Sequence, residues 1–218
     1  MPDYLLEKQA GGVVCGVDEA GRGPWAGPVV AGAAILTPGC LDADWVGGLD
    51  DSKKLGRAGR EKLFDILVAE TPTGVGSASV AEIDSLNILQ ATLLAMDRAV
   101  KNMIRDHGAT PGLALVDGNR TPGLACPARC VVGGDGKSLS IAAASIIAKV
   151  SRDAIMADLA RQYPGYGWER NAGYGTPEHR RALADHGLTP HHRRTFAPIR
   201  RILEAQDMGD ESREDSIS

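Results

Sequence analysis

Acidic residues follow three separate segments of small and β-branched residues in this chain. Asp18 and Glu19 end the first segment, Asp117 ends LALVD, and Asp135 follows CVVGG. Because ligand sites in α/β sheets lie outside the carboxyl ends of the strands, acids at several strand ends can converge on one point. Four carboxylates in one place repel one another and need a cation between them. Mg²⁺ and Mn²⁺ prefer such oxygen ligands, and two of these ions can activate water and stabilise the leaving oxygen of a phosphodiester.

Turn formation is the competing explanation for two of these acids. Asp-Gly at 117–118 and at 135–136 is a common turn dipeptide, and for either aspartate alone the turn is the better explanation. Adjacent strand residues face opposite ways, so Asp18 and Glu19 reach one site only if the strand breaks between or just after them. The Gly-Arg-Gly segment at 21–23 supplies that break and lets backbone N–H groups approach a ligand. The coincidence of three strand ends favours the metal site.

Composition predicts a globular protein of one domain. The chain has 218 residues, 43% of them hydrophobic, with no apolar run near the roughly 18 residues of a membrane helix and no charged-then-apolar leader. The four cysteines, Cys15, Cys40, Cys126 and Cys130, match neither a disulfide framework nor a zinc site. We therefore expect reduced thiols, a cytoplasmic location and no membrane partner.

The formal charge of -4 is concentrated at the C-terminus. Residues 205–218 hold five acids and one arginine, so the rest of the chain is neutral and binding to a polyanion is not excluded. Residues 149–204 hold ten Lys or Arg against six Asp or Glu, including the arginine pairs at 180–181, 193–194 and 200–201. Local basic patches can bind phosphate without a basic pI, although by themselves such pairs are better explained as a solvated helix face.

Apolar periodicity predicts alternating strands and helices with a helical C-terminal extension. The predicted strands are 13–18, 27–36, 74–80, 113–117 and 130–134, the first two forming a hairpin. The predicted helices are 60–70, 87–105, 138–163, one from Thr176 to Gly187, and 197–205. We expect a catalytic core over 1–163, an extension over 164–205 packed on it, and a disordered acidic tail over 206–218.

Seven segments in the same order make the chain similar to the type 2 ribonucleases H, specifically bacterial ribonuclease HII. They are GVDEAGRGPWAGPVVAGAAIL (16–36), DDSKKL (50–55), DSLNILQATLLAM (84–96), VDGNR (116–120), SIAAASIIAKVSRD (140–153), GYGTPEH (173–179) and HHRRTF (191–196). The resemblance implies an α/β, ribonuclease H-like fold, with a mixed five-stranded sheet flanked by helices and a C-terminal helical extension. Type HIII enzymes share part of the signature, but their usual N-terminal domain has no room before Gly16.

The resemblance also implies an activity. The chain would be a metal-dependent endoribonuclease that hydrolyses the RNA strand of RNA–DNA hybrids and cuts 5′ of single ribonucleotides embedded in duplex DNA. Its products would carry 3′-hydroxyl and 5′-phosphate ends. Its cofactor would be Mn²⁺ or Mg²⁺ in a two-metal site whose second ion depends on substrate. We expect a monomer whose partners are these nucleic acids.

The functional residues of the family map onto single positions of this chain. The implied metal-binding and catalytic acids are Asp18, Glu19, Asp117 and Asp135, with Asp18 bridging two metals. The implied substrate contacts are Gly21, Arg22 and Gly23 on the ribose 2′-hydroxyl, Tyr174 on the following deoxyribose, Lys53 and Lys54 on phosphate, and Ser145, Lys149, Arg193 and Arg194 on DNA.

Two positions depart from the family pattern. The family often has lysine before the Gly-Asp of its fourth acid and before Gly-Tyr, where this chain has Gly133 ahead of Gly134 and has Ala172. Two charges that neutralise the nucleic-acid backbone are therefore missing. We predict a steeper reliance on metal and on the remaining Lys and Arg, with activity retained.

Several other residues have simpler explanations. Asp153 lies four residues after Lys149, which favours a helix ion pair over a fifth metal ligand. Tyr166 has glycine neighbours like Tyr174, and only the GYGT match separates the two. The histidines at 179, 186, 191 and 192 are expected to be solvated at helix ends, because a hard-metal site does not need them.

Three alternative functions have weaker support in the sequence. GGDGKSLS resembles the end of a P-loop, but Val131 stands where that motif needs glycine. GRGPWAG misses the dinucleotide fingerprint by one residue of spacing and leads into a strand instead of a helix. A non-catalytic hybrid-binding protein stays open, and metal-dependent cleavage would separate it from an enzyme.

Overall fold

The structure, a computed structural model, describes residues 1–50 and 55–214, and for residues 206–214 the backbone alone. Lys53 and Lys54, which we predicted to contact phosphate, lie outside the described residues. The strands are β1 (Val14–Ala20), β2 (Val29–Ile35), β3 (Thr73–Ala78), β4 (Leu113–Asp117) and β5 (Ala128–Val131). The helices are α1 (Leu5–Ala10), α2 (Arg57–Glu70), α3 (Val80–Leu86), α4 (Ile88–His107), α5 (Leu139–Gln162), α6 (Trp168–Asn171), α7 (Pro177–His186) and α8 (Ala197–Glu214).

The strands form one mixed sheet in the order β3-β2-β1-β4-β5. β1 pairs antiparallel with β2, which pairs antiparallel with β3, while β1, β4 and β5 are parallel neighbours. The predicted hairpin and the predicted fold class, a mixed five-stranded sheet flanked by helices, are confirmed. Because β1, β4 and β5 run the same way, their carboxyl ends meet at one edge of the sheet.

Two long helices cover the faces of the sheet. α4 packs with β1, β2 and β3 in one apolar cluster, and the first half of α5 packs against the opposite face. Small residues allow the backbones to approach closely. A Cβ built on Gly16 of β1 would lie 2.0 Å from the carbonyl carbon of Ser140, and one on Gly74 of β3 would lie 2.2 Å from the carbonyl oxygen of Ala99. Both contacts leave no room for a larger side chain.

Capping side chains set the helix boundaries. The Asn87 side chain accepts from the N–H groups of Leu89 and Gln90 and starts α4, and Gly108 ends it in the left-handed conformation, φ 64°. The helix predicted from Thr176 to Gly187 is confirmed as α7, with Thr176 as its N-cap. Three shorter helices, α1, α3 and α6, were not predicted, because too few residues carry their apolar pattern.

The C-terminal extension packs on the second half of α5. Met156 and Leu159 of α5 form a cluster with Trp168, Leu183 and Ile199 of the later helices. The last helix was predicted to end at 205 and continues to Glu214, so the predicted tail is helical over its first part. The division into core, extension and tail stays a prediction. No helix in the described part of the chain is both long and apolar enough to cross a membrane.

Candidate active site

Asp18 and Asp117 leave neighbouring parallel strands at the same level. Val17 of β1 pairs with Val116 of β4, and the next residue on each strand is one of the two aspartates. Side chains at matching positions of paired strands point to the same face, so the two carboxylates share one side of the sheet edge. Asp18 is buried, with 6% of its surface exposed. The parallel register therefore explains how acids 99 positions apart in sequence become neighbours.

Asp135 reaches this edge from a turn and not from a strand end. The predicted strand 130–134 ends at Val131, and Asp135 lies in a 3₁₀ turn, Gly134–Gly136. The N–H of Gly134 donates to Asp117 Oδ1 at 2.6 Å, and the N–H of Gly136 donates to Asp135 Oδ1 at 2.9 Å. The turn expected of Asp-Gly thus occurs at the same edge of the sheet as the other acids. Turn formation and metal binding are therefore compatible explanations for Asp135.

Glu19 follows Asp18 within β1, which ends one residue later at Ala20. The Arg22 guanidinium donates to Glu19 Oε1 at 3.2 Å, and the Glu19 N–H donates to Asp18 Oδ1 at 2.7 Å. Both carboxylates line the same cavity. The strand break required for this arrangement lies just after the pair, at Gly21, as predicted.

The pKa of the Asp18 carboxyl depends on the other three acids. Burial raises the pKa of the Asp18 carboxyl well above its usual range, and the charges of Glu19, Asp117 and Asp135 raise it further. Such a group needs either a proton or a cation. Oxygen-only carboxylate donors suit a hard divalent ion such as Mg²⁺ or Mn²⁺. Across the described residues, however, no three His, Cys, Asp or Glu side chains form a ready-made metal cage.

A cavity of about 290 Å³ opens beside these acids. Its walls are the end of β1, the loop that follows it, two basic residues of α5 and one aromatic residue of the extension. They are Asp18, Glu19, Ala20, Gly21, Arg22, Gly23, Lys149, Arg152 and Tyr174. Seven of these residues were assigned to metal or substrate from the sequence, whereas the other two acids, Asp117 and Asp135, are not among the walls of this cavity.

The structure separates the two glycine-flanked tyrosines. Tyr174 is 50% exposed in the cavity wall, and its ring lies over Gly23, where a Cβ would be 3.3 Å from Tyr174 Cε1. Tyr166 is 4% exposed and donates its hydroxyl to the Gly187 carbonyl at 2.8 Å. Only Tyr174 is available to a ligand.

Two predicted DNA contacts need correction. Ser145 is buried, and its hydroxyl donates to the Ala142 carbonyl at 2.8 Å. Arg193 is fully buried, and its guanidinium binds backbone carbonyls. The sequence indicated polar groups without showing which way they point. Arg194 is exposed, as a DNA contact requires.

Lys149 lies in the cavity wall and donates to Asp153 at 2.7 Å. The predicted helix pair is therefore confirmed. Arg152, also in the wall, was not singled out from the sequence, although an arginine in an alanine-rich helix was an available signal.

Two histidines expected in solvent are buried. His179 and His192 have 0% and 1% of their surface exposed, with 3.0 Å between their Nε2 atoms. His186, at the end of α7, is exposed as predicted. The buried pair lies behind Tyr174, because His179 Nδ1 is 3.0 Å from the Tyr174 carbonyl oxygen.

Fold and site define the class of the protein, a ribonuclease H-like α/β domain with acids at the carboxyl edge of its parallel strands. The chain belongs to the ribonuclease HII family, whose model matches residues 15–199. It is 61% identical to ribonuclease HII of Paramagnetospirillum magneticum, covering 93% of this chain and 99% of that protein. It is 60% identical to ribonuclease HII of Granulibacter bethesdensis, covering 93% of this chain and 92% of that protein.

A solved structure supports the fold independently. The ribonuclease H2 of Pyrococcus horikoshii OT3 superposes with a TM-score of 0.73 at 30% identity, covering 89% of this chain and 98% of that one. The chain is therefore a hydrolytic endoribonuclease of the ribonuclease H type, and its family supports activity on RNA–DNA hybrids.

Proposed function

We propose that this ribonuclease H cuts the RNA strand of hybrids and the 5′ side of single ribonucleotides in duplex DNA, using two divalent metal ions. The products carry 3′-hydroxyl and 5′-phosphate ends. The observation that supports the proposal best is the Asp18 carboxyl, whose pKa is raised by burial and by the charges of Glu19, Asp117 and Asp135. Asp18 and Glu19 also line the cavity. The monomeric state and the cytoplasmic location stay predictions from the sequence.

The donor set fits Mg²⁺ or Mn²⁺. Asp18, Glu19, Asp117 and Asp135 offer oxygen ligands alone, and a cation among them would relieve their mutual repulsion. Bound ions would lower the pKa of a water and stabilise charge on the leaving oxygen of the phosphodiester. Arg22, paired with Glu19 Oε1 at 3.2 Å, would compete with a metal ion for that oxygen. A substrate phosphate that attracts Arg22 would reduce this competition.

The other cavity residues can orient the nucleic acid. Arg22 and Gly23 offer backbone N–H groups, which suit a ribose hydroxyl or a phosphate oxygen. Tyr174 presents a half-exposed ring for stacking on a sugar. Lys149 supplies a positive charge at the wall, shared with Asp153. The cavity thus combines acids that can hold metal with donors that can bind a sugar-phosphate backbone.

Cleavage by an Asp18→Asn variant tests the proposal. The substrates are a DNA duplex with one ribonucleotide and a long RNA–DNA hybrid, each with Mg²⁺, Mn²⁺ or chelator. We expect wild type to cut with either metal and not in chelator. Asp18→Asn should cut at least 10³-fold more slowly, on the order of a loss of about 4 kcal/mol of transition-state stabilisation.

The matched control is Asp65→Asn, which makes the same chemical change at an exposed position of α2 and should keep full activity. Product ends are read by ligation, which needs a 5′-phosphate next to a 3′-hydroxyl. Cutting in chelator, undiminished cutting by Asp18→Asn, or products with a 3′-phosphate would contradict the proposal. Metal-independent binding without cutting would indicate the non-catalytic alternative.

A further inference from the structure

The loop after β1 is held by an arginine from the distant C-terminal extension. The buried Arg193 guanidinium donates to four main-chain carbonyls of this loop. Its Nε binds Gly27 O at 2.9 Å, its Nη1 binds Arg22 O at 2.9 Å, and its Nη2 binds Gly21 O at 2.6 Å and Pro28 O at 3.2 Å. Among the described residues, no carboxylate pairs with this guanidinium, so its fixed fork of donors is used on backbone oxygens.

A second buried arginine, from α5, holds the same loop. Arg152 donates to Pro28 O at 3.0 Å, to Ala26 O at 3.2 Å and to Ala172 O at 3.0 Å. The approach is so close that a Cβ on Gly21 would lie 1.9 Å from Arg152 Nε, and Gly21 itself has φ +94°. Glycine is required at 21 for both reasons.

The direction of these carbonyls fixes the direction of the neighbouring N–H groups. No cis peptide bond occurs in the described chain, and in a trans peptide the C=O and the following N–H point opposite ways. Because the oxygens of Gly21 and Arg22 point at Arg193, the N–H groups of Arg22 and Gly23 point away from it. Neither N–H has a hydrogen-bond acceptor among the described residues, and both residues line the cavity.

We propose that Arg193, assisted by Arg152, is a positioning residue that presents the Arg22 and Gly23 N–H groups to the ribose of the substrate. This inference rests on the proposed function, and it replaces the direct DNA contact that the sequence suggested for Arg193. An acidic side chain fixes the segment that carries Arg193. The Asp84 carboxylate accepts from the Arg194 N–H at 3.0 Å, the Thr195 N–H at 3.0 Å and the Thr195 hydroxyl at 2.7 Å.

The charge states of Arg193 and Arg152 suit this role. Burial and the neighbouring Arg152 lower the pKa of Arg193 to about 9, and burial lowers the pKa of Arg152 to about 10. Both guanidinium groups therefore stay protonated at neutral pH and keep all their donors. Burying two adjacent cations is costly unless they are hydrogen-bonded, and backbone carbonyl oxygens accept four hydrogen bonds from Arg193 and three from Arg152.

The test compares Arg193→Gln and Arg193→Lys with wild type. Affinities for a duplex with one ribonucleotide and for the same duplex in all-DNA form are measured in chelator over a salt series. In Arg193→Gln, we expect the preference for the ribonucleotide to fall at least tenfold. Affinity for the all-DNA duplex and its salt dependence should stay as in wild type, because no phosphate contact is lost. Arg193→Lys should resemble Arg193→Gln, since one ammonium cannot replace the fork.

The control is Arg201→Gln, which removes one exposed positive charge from α8 and should keep the preference. A preference within twofold of wild type in Arg193→Gln would overturn the proposal. So would a preserved preference with a salt slope lower by about one, which is the signature of a lost phosphate contact. Thermal unfolding checks that each variant is folded. If Arg193→Gln does not fold, the same comparison is made with Arg193→Lys.

Wild-type cleavage separates this inference from the proposed function. If wild type cuts at the ribonucleotide and Arg193→Gln keeps its discrimination, only the positioning role fails. If wild type neither discriminates nor cuts, both fail together.

Discussion

At the scale of single residues, solvent exposure separates side chains that a ligand can reach from side chains that only stabilise the fold. Tyr174 and Tyr166 have similar sequence neighbours, yet one is half exposed in the cavity wall and the other is buried with its hydroxyl bonded to Gly187. A buried hydroxyl with a carbonyl partner contributes to stability. An exposed aromatic ring at a nucleic-acid site can instead contribute stacking.

Substitution of the two tyrosines should therefore give opposite results. Tyr174→Ala should raise KM for the ribonucleotide-containing duplex at least tenfold, through loss of about 1–3 kcal/mol of stacking, with an unfolding free energy close to wild type. Tyr166→Phe should keep KM and lower the unfolding free energy by about 1 kcal/mol. Steady-state kinetics and urea unfolding measure the two effects. A stability loss confined to Tyr174→Ala would reverse the assignment.

The lysines that the family often has before Gly-Asp and Gly-Tyr, and that this chain lacks, can be tested by a single substitution. Ala172 already has a positive φ of 48°, so a longer side chain there adds no new backbone strain. We expect Ala172→Lys to bind duplex more tightly at moderate salt, with a salt slope steeper by about one. Affinity measured from low to moderate salt checks this. Unchanged affinity and slope would show that position 172 does not face the nucleic acid.

At the scale of elements, the site depends on how closely α5 lies on β1. Gly16 of β1 has no space for a side chain, since a Cβ there would meet the Ser140 backbone at 2.0 Å. Asp18 is two residues further along the same face of the strand. Displacement of α5 would therefore also disturb Asp18 and the cavity wall formed by Lys149 and Arg152.

Gly16→Ala should destabilise the protein by about 1–3 kcal/mol or more through overpacking and should lower activity as well. Gly59→Ala is the matched control, because a Cβ at Gly59 in α2 has no atom within 4 Å. It should stabilise by about 0.5–1 kcal/mol. Urea unfolding of both variants checks the pair. Equal effects would mean that the close approach of α5 is not energetically important.

At the scale of the whole molecule, a histidine network joins the extension to the site. The Thr189 N–H donates to His192 Nδ1 at 2.9 Å, so the His192 proton lies on Nε2 and faces His179 Nε2. His179 can then donate from Nδ1 to the Tyr174 carbonyl. This arrangement needs neutral rings. Burial, with the charges of His179 and His191, lowers the pKa of His192 to about 4.

Acid should therefore loosen the extension. The His192 pKa in the folded state, about 4, lies below its ordinary 6.5, so its contribution to stability is present above pH 6.5 and is lost as the pH falls toward 4. The loss is on the order of 3 kcal/mol. Urea unfolding between pH 7.5 and 4.5 should show a shallower pH dependence in His192→Gln than in wild type. The exposed His107→Gln should keep the wild-type slope, and an unchanged slope in His192→Gln would contradict this origin.

The sequence by itself determined the local parts of this protein. Small and β-branched residues predicted the strands, Thr176 and Gly187 predicted the limits of α7, and the motifs predicted the family and the four acids. These features depend on neighbours along the chain, which a sequence displays directly. The predictions for β5 and for the end of α8 were wrong by a few residues or more, because an apolar pattern locates the interior of an element better than its ends.

Only the tertiary structure decided which polar groups face the cavity. Arg193 looked like a nucleic-acid contact in a basic doublet, but the fold places it against the backbone of the loop after β1. The histidines looked like solvated helix ends, but two of them are buried. For Arg193 the physical reason is that its hydrogen-bond partners, such as Gly21, lie more than 100 positions away along the chain. For the histidines it is the packing of the extension, which brings His179 and His192 together. In both cases spacing along the chain does not show which polar groups become buried.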